Sequence, residues 1–415
     1  MSLLLTVTGR DAPGVTAALM DALAAQGAAV LDVEQVVVHG RLLLGLEVRP
    51  AGDPAPLRAA LEAAAAELGV EVELEPLAGP APVGRGPRSH VVLLAPELPP
   101  AAFAGVARRL AACDANIERV LRLSAEPAQS YELLVRGGDT ARLRRELAAE
   151  AVAQRIDVAV ERGSLLRRAR RLVVLDVDST LVQGEVIEML AAQAGCGERV
   201  AEVTAAAMRG ELDFEASLRA RVALLEGLPV KAVDAVRASV RLAPGARTLV
   251  RTLKRLGCAV GVVSGGFTAV TDDLVRELGL DHARANVLEV RNGRLTGGLA
   301  GPVVDRAAKA AALREFAARE GVTLAQTVAV GDGANDLDMI EAAGLGIAFN
   351  AHPVVRQAAD AAISVPFLDA VLFLLGIPRE EVEAADALAP EAPAEATPEA
   401  IPEAAPAETP TEAVA

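Results

Sequence analysis

Two aspartates stand where an apolar segment of the chain ends. Asp176 and Asp178 directly follow the run LVVL in the stretch RLVVLDVDST. Because alternate side chains of a strand share one face, the two carboxylates are expected to project together from the strand end. Like charges crowded in a buried setting are costly without a partner, and a metal ion is the simplest one. The pair therefore predicts metal-assisted chemistry at the end of a buried strand.

Two further apolar runs end in small or polar residues. VVSGG contains Ser264 and Gly265, and TVAVGDGAND contains Asp332 and Asn335. In open α/β sheets ligands bind at the carboxyl ends of the strands. We therefore expect these three strand ends to converge on one site.

The elements that must position these side chains alternate between strand and helix from residue 170 onward, which is typical of a mostly parallel sheet. A helical insert at about 185–240 is too long for a plain crossover and is expected to form a cap over the site. The segment LEVRNGRLTG predicts a hairpin, with Asn292 and Gly293 suited to a type I′ turn.

In this order, four segments resemble the four motifs of the haloacid dehalogenase superfamily of phosphohydrolases. They are DVDSTLV, VVSGG, VVDRAAKAAAL with Lys309, and VGDGANDLDM with Asp336. DVDSTLVQGEVIEML and the cap segment MRGELDFEASLRARVALLEGL are similar to the phosphoserine phosphatases of that superfamily. The resemblance covers residues 170–378 and implies an α/β domain with a Rossmannoid parallel sheet and a helical cap.

The resemblance also implies catalytic roles. Asp176 would be the nucleophile that forms an aspartyl-phosphate, and Asp178 the general acid and base. Mg²⁺ would be bound by the Asp176 side chain, the Asp178 backbone carbonyl and Asp332. Lys309 would add a fixed cation. Further expected contacts to the phosphoryl group involve Ser264, Gly265 and Asn335, while Thr180 would steady the first loop and Asp336 the metal or Lys309 surroundings.

In the cap, the resemblance assigns substrate specificity. Arg221 would bind the substrate carboxylate in a bidentate manner, and Glu185 would face its ammonium group. Met208 and Phe214 would form an apolar wall that excludes water.

Ordinary structural roles remain open for several of these residues. Ser264 could be an N-cap before Phe267, and Lys309 a solvated helix residue. Met208 and Phe214 could be plain core, and Arg221 and Glu185 a surface ion pair. The four histidines show no metal-ligand spacing.

Before residue 170 the order strand, helix, strand, strand, helix, strand occurs twice. The copies span residues 1–78 and 90–163, joined by a linker at 79–89. They resemble ACT domains, amino-acid-sensing βαββαβ modules with a ferredoxin-like α+β fold. The turn TGRDAPGVTAAL resembles the ligand-binding turn of that family, which implies a regulatory site at Asp11 and Gly14; a plain strand-to-helix turn is the alternative. The second copy, with APELPPAAF, lacks this element.

Composition narrows the class of protein. The net charge of −15 argues against nucleic-acid binding, and the Ala/Pro/Glu-rich segment 384–415, without Lys or Arg, predicts a disordered acidic tail. No apolar run approaches the length of a membrane span, and no signal peptide is evident. Three widely spaced cysteines favour reduced thiols, so we expect a cytoplasmic protein that does not bind membranes.

The combined interpretation is a Mg²⁺-dependent phosphatase acting on O-phospho-L-serine in the last step of L-serine biosynthesis. Tandem ACT domains before the phosphatase resemble the actinobacterial arrangement and imply L-serine or another amino acid as effector. Exposed sheet edges predict a homodimer or larger closed assembly. The alternatives are a phosphotransferase that passes the phosphoryl group to a hydroxyl such as that of homoserine, and a non-catalytic amino-acid sensor.

Overall fold

The computed structural model describes residues 1–77 and 86–388, apart from the side chain of Met208. The chain divides into two compact units, one ending at Arg85 and the other beginning at Gly86. No helix in the described residues is long and apolar enough to cross a membrane.

The first unit is a four-stranded antiparallel sheet with two helices. Its elements are β1 (Leu3–Arg10), α1 (Val15–Ala25), β2 (Ala29–Val38), β3 (Arg41–Arg49), α2 (Pro54–Leu68) and β4 (Val70–Pro76), with strand order β2-β3-β1-β4. Alternation along β3 buries Leu42, Leu44, Leu46 and Val48 in the core. Every residue of the edge strand β2 is exposed. The unit thus has one packed face and one uncovered edge.

The second unit begins with the same motif. Its elements are β5 (Arg88–Ala95), α3 (Pro100–Ala112), β6 (Ala115–Ser124), β7 (Gln129–Gly137), α4 (Thr140–Gln154) and β8 (Asp157–Arg162), with strand order β6-β7-β5-β8. Asp139 caps α4 by accepting a hydrogen bond from the Arg142 amide. Both copies therefore have the expected βαββαβ order.

Partly buried polar contacts join this second motif to the parallel-sheet domain. The Asp157 carboxylate accepts hydrogen bonds from the Ser364 hydroxyl (2.9 Å) and backbone amide (2.5 Å) and lies 3.4 Å from the Arg356 guanidinium. Burial raises the pKa of Asp157, and the bonds from Ser364 oppose that rise. Arg144 also pairs with Asp360 at 2.7 Å. These contacts fix the segment that ends the parallel sheet.

A seven-stranded, mostly parallel sheet forms the larger domain, with order β12-β11-β10-β9-β13-β14-β15. The strands are β9 (Leu172–Leu175), β10 (Ala259–Phe267), β11 (His282–Arg291), β12 (Arg294–Ala300), β13 (Thr327–Gly331), β14 (Leu345–Phe349) and β15 (Ala361–Ile363). The helices are α5 (Val186–Ala194), α6 (Gly197–Met208), α7 (Phe214–Ala223), α8 (Val230–Ser239), α9 (Ala246–Arg255), α10 (Thr268–Leu278), α11 (Arg306–Arg319), α12 (Leu337–Ala342), α13 (Pro353–Ala358), α14 (Val371–Leu374) and α15 (Arg379–Ala387). The central strands read as continuous apolar runs because both of their faces are buried.

Two local features follow from the sequence. Asn292 and Gly293 both have positive φ, at 50° and 74°, and turn β11 into the antiparallel β12, as the hairpin signal predicted. Helices α5 to α8 lie between β9 and β10 in sequence and form the cap. The two segments that connect the cap to the sheet are hydrogen-bonded to each other, because the Gln183 backbone amide donates to the Arg241 carbonyl at 2.8 Å.

The carboxyl-terminal boundary differs from the prediction. The disordered tail was expected from residue 384, but α15 continues to Ala387 because Asp386 bonds the Arg251 guanidinium at 3.0 Å. The rest of the predicted tail, from 389 on, and most of the predicted linker at 79–89 lie outside the described residues.

Candidate active site

The first two aspartates lie just beyond β9, in a tight turn rather than in the strand itself. Asp176 remains tied to the sheet, since its backbone amide donates to the Val330 carbonyl at 2.9 Å. The chain then turns through Asp178 to Ser179, which has a φ of 58°. Both carboxylates line the same cleft, as expected, but the turn gives them different partners.

Asp176 is paired with a buried lysine. The Nζ atom of Lys309 lies 2.6 Å from Asp176 Oδ1 and 2.7 Å from Asp336 Oδ1, and the lysine is fully buried. Burial alone would lower the pKa of Lys309, but the charges of Asp176 and Asp336 outweigh it and raise this pKa. Lys309 is therefore a fixed cation, and the alternative of a solvated helix residue is wrong.

A group of carboxylates surrounds this pair. One oxygen each from Asp176, Asp332 and Asp336 lies within 4.8 Å of the others. Burial and then the charge of Asp336 raise the pKa of Asp176 well above its usual value. The same two causes raise the pKa of Asp332 to about 6, against a hydrogen bond of 3.0 Å from the Thr180 hydroxyl. Neighbouring carboxylates repel one another when all are ionised, and a hard divalent cation bound between their oxygens would offset that repulsion.

The cluster differs from the predicted metal set in one member. It contains the Asp336 side chain, whereas the prediction used Asp178, through its backbone carbonyl, with Asp176 and Asp332. Asp336 is already bonded to Lys309. The choice between these donor sets stays a prediction.

The Asp178 carboxylate is held on both sides. The Val186 amide donates to Oδ1 at 2.9 Å, and the Ser264 hydroxyl donates to Oδ2 at 3.1 Å. Burial raises the pKa of Asp178, and these two hydrogen bonds only partly oppose it. A carboxyl group in this setting is suited to carry a proton and to release it.

Ser264 is fully buried at the end of β10. Its hydroxyl accepts a hydrogen bond from the Gly266 amide at 2.7 Å, and α10 begins only at Thr268 without a side-chain cap. The N-cap alternative is therefore wrong. A Cβ atom at Gly266 would lie 2.5 Å from Asp178 Oδ2, so only glycine fits there.

Cap residues form the other side of a cleft of 740 Å³. Phe214 is half-buried against the core and covers Gly265, where a Cβ atom would lie 3.0 Å from the Phe214 ring. Glu185 accepts a hydrogen bond from the Ser179 hydroxyl at 3.2 Å; burial and then the charge of Asp178 raise the pKa of Glu185 to about 7.

Arg221 reaches the same cleft and is half-buried. Its only hydrogen bond to a described residue runs from Nε to the Ser217 carbonyl, at 3.4 Å. No described carboxylate lies within salt-bridge distance, so the alternative of an ion pair with Glu185 is wrong. The guanidinium is left able to bind an anion within the cleft.

Asn335 and Met208 are the two remaining predicted cleft residues. Asn335 is half-buried and lines the cleft, whereas the side chain of Met208 lies outside the described part of the structure.

Sequence reasoning missed several cleft residues. Arg306 and His352 line the cleft, and the His352 amide donates to the Asp332 carbonyl at 3.3 Å. The signal for His352 was its place shortly after the end of β14, because strand ends meet at the site.

The predicted regulatory turn lies in the first unit. Gly14 has a φ of 98° and precedes α1 as its N-cap, and Asp11 donates its backbone amide to the Gly40 carbonyl at 2.9 Å. Both residues are exposed. In the second copy Pro99 takes the N-cap position instead. The geometry at Gly14 requires glycine, but ligand binding there stays a prediction.

Three segments of the chain match known protein families. Residues 173–341 match the haloacid dehalogenase-like hydrolases, and residues 1–75 and 88–161 each match an ACT domain.

Comparison with individual proteins extends over almost the whole chain. It is 58% identical to a phosphoserine phosphatase of Streptomyces coelicolor, over 94% of this chain and 95% of that protein. It is 51% identical to phosphoserine phosphatase SerB2 of Mycobacterium tuberculosis, over 93% and 96%. Among solved structures, a probable phosphoserine phosphatase of Vibrio cholerae in unliganded form superposes with a TM-score of 0.56, at 36% identity, over 72% of this chain and 89% of that one.

Proposed function

The chain belongs to the phosphoserine phosphatase family of haloacid dehalogenase-like hydrolases with two ACT domains, and we propose that it hydrolyses O-phospho-L-serine to L-serine and phosphate. This is the last step of L-serine biosynthesis. The resemblances predicted from the sequence are thereby confirmed. The observation that carries the proposal is the Asp176 carboxylate, paired with a buried ammonium in a cleft that also contains the Arg221 guanidinium, for which the described residues offer no ion-pair partner.

The reaction follows from the two aspartates. An Asp176 oxygen attacks phosphorus, the bond from phosphorus to the serine oxygen breaks, and Asp178 gives its proton to that oxygen. Asp178 then takes a proton from water, whose oxygen attacks the aspartyl-phosphate. The bond from phosphorus to Asp176 breaks, and phosphate leaves. Through both steps Lys309 holds Asp176 in place, and the Gly265 amide donates to the phosphoryl oxygens. The single Ser264 hydroxyl proton is donated to Asp178, so the predicted contact of Ser264 with the phosphoryl group would require that hydroxyl to turn.

We assign the metal site to Mg²⁺, with ligands from the side chains of Asp176 and Asp332 and the backbone carbonyl of Asp178. The oxygen-only donors and the excess of buried negative charge around them support this assignment. When bound, Mg²⁺ would offset the repulsion between the carboxylates and the phosphate dianion. Asp336, already bonded to Lys309, would orient that lysine rather than bind the ion.

Phosphate release tests the proposal directly. The purified chain should release phosphate from phosphoserine with Mg²⁺ and lose that activity when the ion is chelated. Other phosphomonoesters should be poorer substrates. Homoserine added as an acceptor should leave phosphate release unchanged; transfer of the phosphoryl group to homoserine would make the chain a phosphotransferase instead.

Substrate recognition rests on the cap. Arg221, which has no ion pair with any described carboxylate, would bind the serine carboxylate, and Glu185 would bind its ammonium group. A nearby ammonium would favour the ionised form of Glu185, since opposite charges stabilise each other.

We predict that Arg221→Ala raises the KM for phosphoserine by about tenfold to a hundredfold, because a charge-assisted pair contributes about 1.5 to 3 kcal/mol. Phosphoethanolamine lacks the carboxylate, so its KM should change little. Arg219→Ala is the matched control, since Arg219 lies on the same helix but is exposed and pairs with Glu215 at 2.7 Å. Equal losses for both substrates in the Arg221 variant would show that this residue does not bind the carboxylate.

The ACT domains imply regulation by an amino acid, and we assign the site to the turn at Asp11 and Gly14, with L-serine as ligand. Free backbone amides before a helix can bind a carboxylate. Serine can change the rate only if it binds one arrangement of the protein better than another.

We predict that Gly14→Ala, which places a side chain at a φ of 98°, weakens inhibition by serine several-fold while turnover without serine stays near normal. The measurement is the inhibition of turnover by serine at saturating and at subsaturating concentrations of phosphoserine. Pro96→Ala in the second copy is the control and should leave inhibition unchanged. If serine inhibits the Gly14 variant as strongly as the unmodified chain, and only by competition with substrate, it acts as a product in the cleft.

We further propose a homodimer in the cytoplasm. The uncovered strand β2, with exposed Val33, Val36 and Val37, offers an edge for pairing with another copy. All three cysteines are free and buried, which fits a reducing compartment.

A further inference from the structure

Strand β10 is irregular where it reaches the active site. Val263 pairs with Arg284 and Phe267 with Asn286, so three residues, Ser264 to Gly266, face the single residue Ala285 of β11. Such a bulge takes backbone groups out of the ladder and re-aims side chains. Here Ser264 faces Asp178, and the half-buried Gly265 carbonyl lies within the bulge, where the regular ladder gives it no partner.

Asn286 supplies that missing partner. Its side chain is buried, with 2% exposed, and its Nδ2 donates to the Gly265 carbonyl at 2.8 Å. Its Oδ1 accepts from the Val304 amide at 2.8 Å. The two bonds fix the orientation of the Asn286 side-chain amide, because the Gly265 carbonyl needs a donor and the Val304 backbone amide needs an acceptor.

A short series of hydrogen bonds connects Asn286, through Gly265, to the general acid Asp178. The Gly265 carbonyl and the Gly266 amide belong to one planar peptide unit, so fixing one fixes the other. The Gly266 amide donates to the Ser264 hydroxyl at 2.7 Å, and that hydroxyl donates to Asp178 at 3.1 Å. Asn286 therefore sets the peptide plane that orients the Ser264 hydroxyl against the Asp178 carboxylate.

The hydrogen bond to Val304 holds the segment that begins helix α11, which carries Lys309. Val304 precedes Asp305, whose carboxylate accepts from the Ala308 amide at 2.8 Å and caps α11. One turn into that helix, Lys309 reaches Asp176. A single side chain thus ties the loop that contacts the general acid to the helix that carries the fixed cation.

We propose that Asn286 is a positioning residue for the acid–base step, acting through the Gly265–Gly266 peptide and Ser264 on Asp178. The inference rests on the proposed phosphatase activity and adds to it a residue that never touches the substrate. The competing explanation is that Asn286 only satisfies buried polar groups and contributes to stability. The two explanations differ in which kinetic constant changes.

Asn286→Asp separates the two bonds with almost no change in size. Ionised, the aspartate can still accept from the Val304 amide but cannot donate to the Gly265 carbonyl. A protonated aspartate could donate to it, so kcat is measured as a function of pH and compared where the aspartate is ionised. Leu288→Ala is the matched control, because Leu288 is a buried residue on the same strand and packs in the core without a polar link to the loop. Asn286→Ala removes both bonds.

The measurements are kcat and KM for phosphoserine, the single-turnover rate of phosphorylation by phosphoserine and by p-nitrophenyl phosphate, and the melting temperature of each full-length variant with Mg²⁺. We expect Asn286→Asp to lower kcat for phosphoserine by about tenfold to a hundredfold, with KM nearly unchanged. p-Nitrophenolate leaves readily without a proton, so phosphorylation by this substrate, measured in a single turnover, should slow much less. Leu288→Ala should lower the melting temperature while keeping kcat near normal.

Several results would overturn the inference. They are an unchanged kcat in Asn286→Asp, equal slowing of phosphorylation by both substrates, or a loss in kcat that Leu288→Ala reproduces at the same melting temperature. If the unmodified chain fails to hydrolyse phosphoserine, the proposed function itself is wrong, which is a separate result.

Discussion

Replacing Asp176 with asparagine will abolish turnover of phosphoserine, with a loss of at least about 10⁴-fold, as is typical when a covalent nucleophile is removed. The amide is neutral and a poor nucleophile, so no aspartyl-phosphate can form. The fold should survive, because the substitution removes one of two carboxylates that share the single buried ammonium of Lys309. Phosphate release and the melting temperature, measured on the same preparation, test both statements.

Asp178→Asn is the informative comparison for this variant. It leaves the nucleophile and the Lys309 pair intact and removes only the group that donates and accepts the proton. We expect residual phosphorylation and, if hydrolysis slows more than phosphorylation, a trapped phosphoenzyme visible by mass spectrometry. Near-normal turnover of Asp176→Asn, with deamidation excluded by mass, would refute the assignment of the nucleophile.

The charge around the cleft favours a bound cation. Asp176, Asp178 and Asp332 all have pKa values raised first by burial, so the protein disfavours their simultaneous ionisation. A phosphate dianion entering this cleft adds to the repulsion. Lys309 alone cannot offset it, because the lysine is already shared between Asp176 and Asp336. A divalent ion bound beside Asp176 and Asp332 would provide the remaining positive charge.

The sequence predicted those site residues whose positions follow from the periodicity of the strands. Asp176, Ser264 and Asp332 follow apolar runs, and the ends of parallel strands must meet, so their convergence could be predicted before any coordinates. The pairing of Asp176 with Lys309 could be inferred only by resemblance. The helix sequence RAAKAAAL does not reveal that its lysine is fully buried, because burial depends on the sheet against which the helix packs.

Long-range pairings were beyond sequence reasoning. Asn286 bonds Gly265 and Val304, residues 21 and 18 positions away, and no periodicity in β11 indicates this. The tail boundary was missed for a similar reason. Alanine-rich sequence before residue 388 suggested disorder, but the contact of Asp386 with Arg251, 135 positions away, stabilises a last helical turn.

The second large effect concerns Lys309. Lys309→Met keeps most of the side-chain volume but leaves Asp176 and Asp336 buried together without their cation. Breaking a buried ion pair on one side costs about 3 to 5 kcal/mol, so the melting temperature should fall markedly. Turnover should fall by at least about a hundredfold, because the nucleophile loses its fixed partner next to the transferring phosphoryl group. Thermal unfolding and phosphate release provide the two measurements.

A second substitution distinguishes charge from packing as the cause of that instability. In Lys309→Met/Asp336→Asn one of the two stranded carboxylates is neutral, so repulsion with Asp176 disappears and much of the lost stability should return. Activity should stay low, because the ammonium is still missing. If the double variant is no more stable than Lys309→Met, the loss comes from packing around the methionine, and the electrostatic account of Lys309 between Asp176 and Asp336 is wrong.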